Sequence, residues 1–104
     1  MDALPTLAAV PGTSVSVSAT GSSVGAAIDC TGCDKIHVVN TSATLYVSVR
    51  AGVGAQTAVL ATDISIPPLG QMVLAVNPAV DNVAAIGSAA GPTVVKFTPL
   101  RRGN

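Results

Sequence analysis

The sequence predicts an all-β protein: a single antiparallel β-sandwich or a jelly-roll-like small barrel, with extended N- and C-terminal arms. Three observations carry that expectation. β-Branched residues alternate with small polar ones, as in Val15-Ser16-Val17-Ser18. Turn residues interrupt such runs at roughly ten-residue intervals, and apolar residues at helical spacing are nearly absent. About eight short strands at this spacing suit two stacked antiparallel sheets or a small closed one. At 104 residues the chain is one domain, able to bury roughly two-thirds of its unfolded surface in a single core.

The elements follow in order. Residues 1–13, with Pro5 and Pro11 cutting an apolar run, read as an extended arm. Val15, Val17 and Ala19 alternate with serines and form a half-buried strand; beyond the turn at Gly21 comes a short apolar piece, Val24 to Ile28. Lys35 to Asn40 places Ile36 and Val38 on one face and His37 on the other, and Asn40-Thr41-Ser42 reads as a tight hairpin connection. Leu45, Val47 and Val49 then face one way, with Tyr46, Ser48 and Arg50 the other way. After the flexible loop Ala51 to Ala55, a strand is expected around Thr57 to Leu60. Ile64 and Ile66 run into a firm turn, Pro67-Pro68-Leu69-Gly70. Met72 to Val76, Val83 to Ile86 and Thr93 to Thr98 complete the set, so that the sandwich spans residues 14–98 and 99–104 form an extended tail.

Composition narrows the function. Only 10% of the residues are charged, against about 25% in an ordinary soluble domain. There is no Glu, and the five acids are balanced by Lys35, Arg50, Lys96, Arg101 and Arg102. Phosphate binding needs an excess of clustered cations, so nucleic acid is not an expected partner. Tyr46 and Phe97 are the only aromatic residues, which disfavours a sugar-binding groove or a base-stacking surface. A mean hydropathy of +0.62 with so few charges suits a chain whose surface is partly covered by neighbours. No run approaches the roughly 18 to 20 apolar residues of a membrane-spanning helix. Asp2 stands where a secretory signal would carry positive charge. The expectation is therefore synthesis in a cytoplasm, with reduced thiols.

The stretch Asp29-Cys30-Thr31-Gly32-Cys33-Asp34-Lys35-Ile36-His37 gathers both cysteines and the only histidine. Two thiolates at this spacing can share a metal, but structural zinc wants four ligands, and His37 lies about 13 Å along an extended strand. A thioredoxin-like role needs the pair at a helix N-terminus, whereas here a strand follows. The favoured reading is a β-turn with Gly32 at its third position, holding Cys30 and Cys33 near one another as free thiols or as a small oxidised loop. No metal, cofactor or catalytic residue is assigned.

Three other patterns read as structure. Gly21-Ser22-Ser23-Val24-Gly25 matches a nucleophile-elbow spacing, but that motif works on a strained strand-to-helix turn of a much larger α/β sheet. Gly52-Val53-Gly54 lacks the third glycine, helix and acid of a dinucleotide site. Asn40-Thr41-Ser42 fits a glycosylation acceptor, yet without an export signal it reads as a turn. Arg101-Arg102 is either a solvated end or an anchor on an acidic partner. Leu4, Pro5, Leu7, Leu100, Arg101 and Arg102, in the two arms, are the candidate inter-subunit contacts.

The run Lys35-Ile36-His37-Val38-Val39-Asn40-Thr41 leads into Thr44-Leu45-Tyr46-Val47-Ser48-Val49-Arg50-Ala51-Gly52. Ile64-Ser65-Ile66-Pro67-Pro68-Leu69-Gly70 and Val83-Ala84-Ala85-Ile86-Gly87 follow. Together these stretches resemble a group of small tailed-bacteriophage virion proteins. That group's pattern is a strand ending in Asn-Thr-Gly, a strand ending in Gly, an Ile-Pro turn, and an Ile-Ala-Ala-Ile strand before a Gly- and Thr-containing one. The likeness spans residues 35–98. Ser42 stands where the group often has Gly and Val83 where Ile is common, and Leu100 to Asn104 departs from its short Gly-rich finish.

The resemblance implies a non-enzymatic virion protein with no cofactor, a head decoration or cement subunit bound across major capsid proteins and stabilising the shell. It would be made in the host cytoplasm, with homo-oligomers, the major capsid protein or other virion proteins as partners, and neither nucleic acid nor membrane. A neck, connector or tail component is the alternative. A small glycan- or cell-surface-binding module is more distant.

Overall fold

The structure is a computed structural model, and it describes residues 10–11, 14–76, 79–89 and 92–101. The candidate contacts Leu4, Pro5, Leu7 and Arg102 lie outside the described residues.

Nine strands and no helix make up the described chain: β1 (Val10–Pro11), β2 (Val15–Ala19), β3 (Val24–Ala27), β4 (Cys33–Asn40), β5 (Val47–Gly52), β6 (Ile64–Ile66), β7 (Gln71–Ala75), β8 (Asn82–Gly87) and β9 (Thr93–Arg101). Every ladder is antiparallel. β2 pairs with β9, β3 with β8, β4 with β7 and β5 with β6, so the chain is one long nested hairpin. Two further ladders, β4–β9 and β5–β8, roll that hairpin into two sheets. One has the order β2-β9-β4-β7, with the short β1 also on β9; the other has the order β3-β8-β5-β6. This connectivity is the jelly roll, the double-sheet solution of the two forms expected from the sequence.

The inner faces supply the core. Ile36 and Val38 of β4, Val95 and Phe97 of β9, and Val17 of β2 meet Val47 and Val49 of β5 and Val83 and Ala85 of β8, all buried. Phe97 lies opposite Val15 on one side and Val38 on the other, at the middle of its sheet. Each fully buried Val, Ile or Phe contributes about 1.5–3 kcal/mol of transfer free energy. Small and branched side chains dominate this core, and Phe97 is the largest among them.

Some expectations hold and others do not. Alternation is obeyed in β2 and, from Lys35 onward, in β4, and Pro67 to Gly70 closes a turn through Gly70 N–H to Pro67 O at 2.9 Å. The Asn40-Thr41-Ser42 segment is not a hairpin. It carries the chain from β4 in one sheet to β5 in the other, and those strands are not paired. Thr57 to Leu60 is not a strand. Ala58 is buried with its N–H on Ser23 Oγ at 2.8 Å, so the segment is held by side-chain bonds instead of extending an edge. The same segment accounts for the burial of Ser48, which faces away from the core: its Oγ donates to Leu60 O at 3.0 Å. The strand expected over Thr93 to Thr98 runs on through Arg101, because β4 continues to pair with it as far as Cys33.

Candidate functional site

The cysteine segment is a double turn. The Asp29 carboxylate accepts the Thr31 N–H at 3.0 Å, and Cys33 N–H donates to Cys30 O at 2.8 Å. Gly32, third in that turn, has φ +75° and open space around it, as the sequence predicts. Both cysteines are buried within the core cluster as two unjoined thiols. Burial, then the nearby Cys33, Asp29 and Asp81, pushes the Cys30 thiol up to about 11. Between Cys33 and Lys35 the ladder with β9 shifts register. This irregularity lets Cys33 and Ile36 both face inward despite their odd spacing.

That same shift separates the histidine from the thiols. His37 lies on the outer face of its sheet, where Nε2 stands 2.7 Å from Gln71 Oε1. Asp34 turns to Lys35, 3.4 Å away. Among the described residues no three His, Cys, Asp or Glu side chains converge as metal ligands.

The other sequence patterns also take definite places. Ser23 ends the β2–β3 turn and accepts the Ala58 N–H, with a strand rather than a helix after it. Gly54 N–H donates to Asp81 Oδ1 at 2.9 Å. This bond, with the Asn82 amide, holds the exposed Asp81 carboxyl below its ordinary range. Asn40 is fully buried, and both atoms of its amide are engaged by backbone, so the acceptor pattern Asn40-Thr41-Ser42 presents no amide for modification in the folded protein. Sequence reasoning missed this role, although the signal was present: after Ile36 and Val38, Asn40 is the next residue on the buried face of β4.

The remaining candidate surfaces are sheet edges. β2 and β7 bound one sheet, and β3 and β6 the other. β6 pairs only with Val47 to Val49, so among the described residues no strand covers Arg50 to Gly52 on that side. Between this gap and β7, the last described strand of the other sheet, opens a cleft of about 460 Å³. Val49, Ala51, Met72 and Leu74 line it, and Arg50 and Asp63, 3.9 Å apart, stand at its rim. A second cleft of about 430 Å³ lies between Val15 and Ala27, on the opposite open side, beside Asp29 and Asp81. Exposed apolar side chains stand along the edges, Ile64 on β6 and Val73 on β7. Of the candidate contacts within the described chain, Leu100 is half-buried opposite Lys35, and Arg101 pairs through its backbone with Val10 and Cys33.

Nested antiparallel ladders, a thin aliphatic core and sheet edges that no described strand covers define a small jelly-roll sandwich. No family model and no curated protein matches the chain. Among solved structures it is similar to a chain of the Bacillus endospore appendages, which form a novel family of disulfide-linked pili. That match has a TM-score of 0.52 at 18% identity, and it covers 91% of this chain and 88% of the other. At that identity the likeness is one of fold.

Proposed function

We propose that the protein is a non-enzymatic structural subunit of an extracellular assembly, joined to its neighbours through the open edges of its sheets. The observation that carries this reading is the make-up of β2 and β7. They read Val-Ser-Val-Ser-Ala and Gln-Met-Val-Leu-Ala, with neither charge nor proline. Monomeric β-proteins usually guard such edges with charges, prolines or bulges. Strand parity adds a direction. In the order β2-β9-β4-β7 each neighbour is antiparallel, so β2 and β7 run in opposite senses. A second copy in the same orientation therefore sets its β2 antiparallel to β7 of the first, and the sheet continues. Head-to-tail contacts of this kind generate rings or open filaments.

The finer reading is a bacteriophage virion protein, a head decoration or cement subunit bridging major capsid proteins. The resemblance over residues 35–98 supports it, as does an architecture that viral capsid domains share. In that role the terminal segments, residues 1–13 and 99–104, supply further contacts beyond the pairing of Val10–Pro11 and residues 99–101 within the sheet, and many small interfaces gain strength from the lattice. A neck, connector or tail position is the alternative. The likeness to a pilus subunit supports assembly into polymers, the coarser class. Its disulfide linkage does not carry over, because Cys30 and Cys33 are both buried and present no thiol to another copy.

Electron microscopy of the purified protein and of intact particles tests this. Rings or filaments, or copies ordered over a shell that loses heat and osmotic resistance when stripped of them, are expected. A protein that stays monomeric at high concentration and occupies neither shell nor tail overturns the proposal.

A further inference from the structure

We propose that Cys30 and Cys33 are a site of reversible oxidation, closing into a disulfide within the turn that opens β4 when the protein meets a small-molecule disulfide. The geometry is suited to closure. A four-residue turn closed by the Cys33 N–H to Cys30 O bond keeps its end Cα atoms within about 7 Å. Disulfides span about 4.4–6.8 Å between Cα atoms. Both side chains turn inward to the same core cluster, while Thr31 and Gly32 between them face solvent. Gly32, at φ +75° with nothing within 4 Å of a Cβ position, leaves room for the turn to adjust as the bond forms.

The chemistry is thiol–disulfide exchange. One Cys thiolate attacks a sulfur of the oxidised small molecule, RSSR, forming a mixed disulfide and releasing RS⁻. The second Cys thiolate attacks the protein sulfur of that adduct and releases the second RS⁻. Two thiols are thereby oxidised to one disulfide, RSSR is reduced to two thiols, and the two protons pass to the released thiolates. Burial of both sulfurs and the high pKa of Cys30 make the reaction slow in the closed fold, so the turn must open first. Burial also favours the partner within the turn over a thiol of another molecule. A reducing cytoplasm keeps the pair open, and an oxidising exterior closes it. The bond would then staple the end of the sheet where Cys33, Arg101 and Val10 pair. This inference does not depend on how the protein assembles.

The test uses the full chain equilibrated in glutathione buffers of increasing oxidised fraction, quenched in acid, unfolded and alkylated with N-ethylmaleimide. Intact mass is then read alongside non-reducing electrophoresis. The expected result is a monomer lighter by two hydrogens and carrying no alkyl group. Cys30→Ser and Cys33→Ser should each stop at a glutathione adduct or one alkylated thiol. Two alkylated thiols at every buffer ratio, a persistent glutathione adduct on the unaltered chain, or cross-linked dimers would overturn the proposal. Slow opening is controlled from the other side, by refolding a chain whose disulfide was closed while unfolded. A closed chain that regains the native circular dichroism spectrum supports the proposal, and one that cannot refold sinks it.

Discussion

The side-chain amide of Asn40 reaches from the end of β4 to the backbone of Leu45, with Nδ2 2.8 Å from the Leu45 carbonyl oxygen. The same nitrogen lies 3.2 Å from Ile66 O and 3.1 Å from Pro67 O, and Oδ1 accepts the Ser42 N–H at 3.0 Å. One buried amide thus ties the crossover between sheets to the turn after β6. Asn40→Ala would strand buried carbonyls and leave a void, a loss of about 3 kcal/mol or more in urea unfolding. Asn40→Asp sets a carboxylate against those carbonyl oxygens, which raises its folded pKa above its unfolded value. The variant's stability is then greatest below about pH 4 and falls as pH rises through the folded pKa. A flat urea midpoint between pH 3 and pH 7 in that variant would contradict the clamp.

Thr93 carries the opposite case. Its hydroxyl is buried on the core face of β9, opposite Ala19, with no hydrogen-bond partner among the described residues. Thr93→Val keeps the branched shape and the strand preference while removing a desolvated polar atom. The expected gain is about 1 kcal/mol, read as a higher denaturant midpoint at unchanged slope. A loss of stability would mean that the hydroxyl is satisfied.

Leu69 is held at φ +57°, a left-handed conformation that costs a residue with a Cβ about 1–2 kcal/mol. The residue is 68% exposed and returns little by burial, while its N–H holds Ser42 O at 2.8 Å. Leu69→Gly keeps that bond and relieves the backbone. The freer unfolded chain offsets part of the gain, leaving about 0.5–1 kcal/mol. Thermal unfolding should show the midpoint rising; a fall would mean that Leu69 packs against something.

These residues also mark how far the sequence could be read. Alternation in Val15 to Ala19 and in Ile36 to Asn40 announces strands because the pleat enforces it locally, and Gly32 and Pro67 to Gly70 announce turns through backbone preference. The nested pairing is different. Val15 lies opposite Phe97 and Val24 opposite Ala85, and such long-range partners leave no local trace. Thr57 to Leu60 has strand-like residues, yet its place is decided by distant side chains, Ser23 accepting the Ala58 N–H and Ser48 donating to Leu60 O. The split between His37 and the thiols depends on a register shift at Cys33, which spacing alone does not reveal.

The cysteine turn has a pH signature in the reduced protein. The Cys30 thiol has a folded pKa of about 11 against an ordinary 9.0. The folded state therefore holds its proton longer than the unfolded state does. The associated stability is intact below about pH 9 and is lost as pH rises towards 11. Cys30→Ala should flatten that alkaline decline relative to the unaltered chain, each followed by urea midpoints in the presence of reductant. An equal decline in both would place the alkaline transition elsewhere.

Charges on the two edges of one sheet test the assembly directly. Ser16 on β2 and Val73 on β7 both face solvent on its outer side, so lysine at either position should leave the monomer fold intact. With lysine at both, edge-to-edge pairing brings like charges onto one face of the joint, which opposes pairing. Ser16→Lys with Val73→Lys should therefore shift sedimentation towards the monomer, and more so at low salt, where screening is weak. Ser16→Asp with Val73→Lys puts opposite charges there and should restore the larger species. Equal assembly in both double variants would show that the copies meet through another surface, because a β2–β7 joint places these two side chains on the same face of the continued sheet.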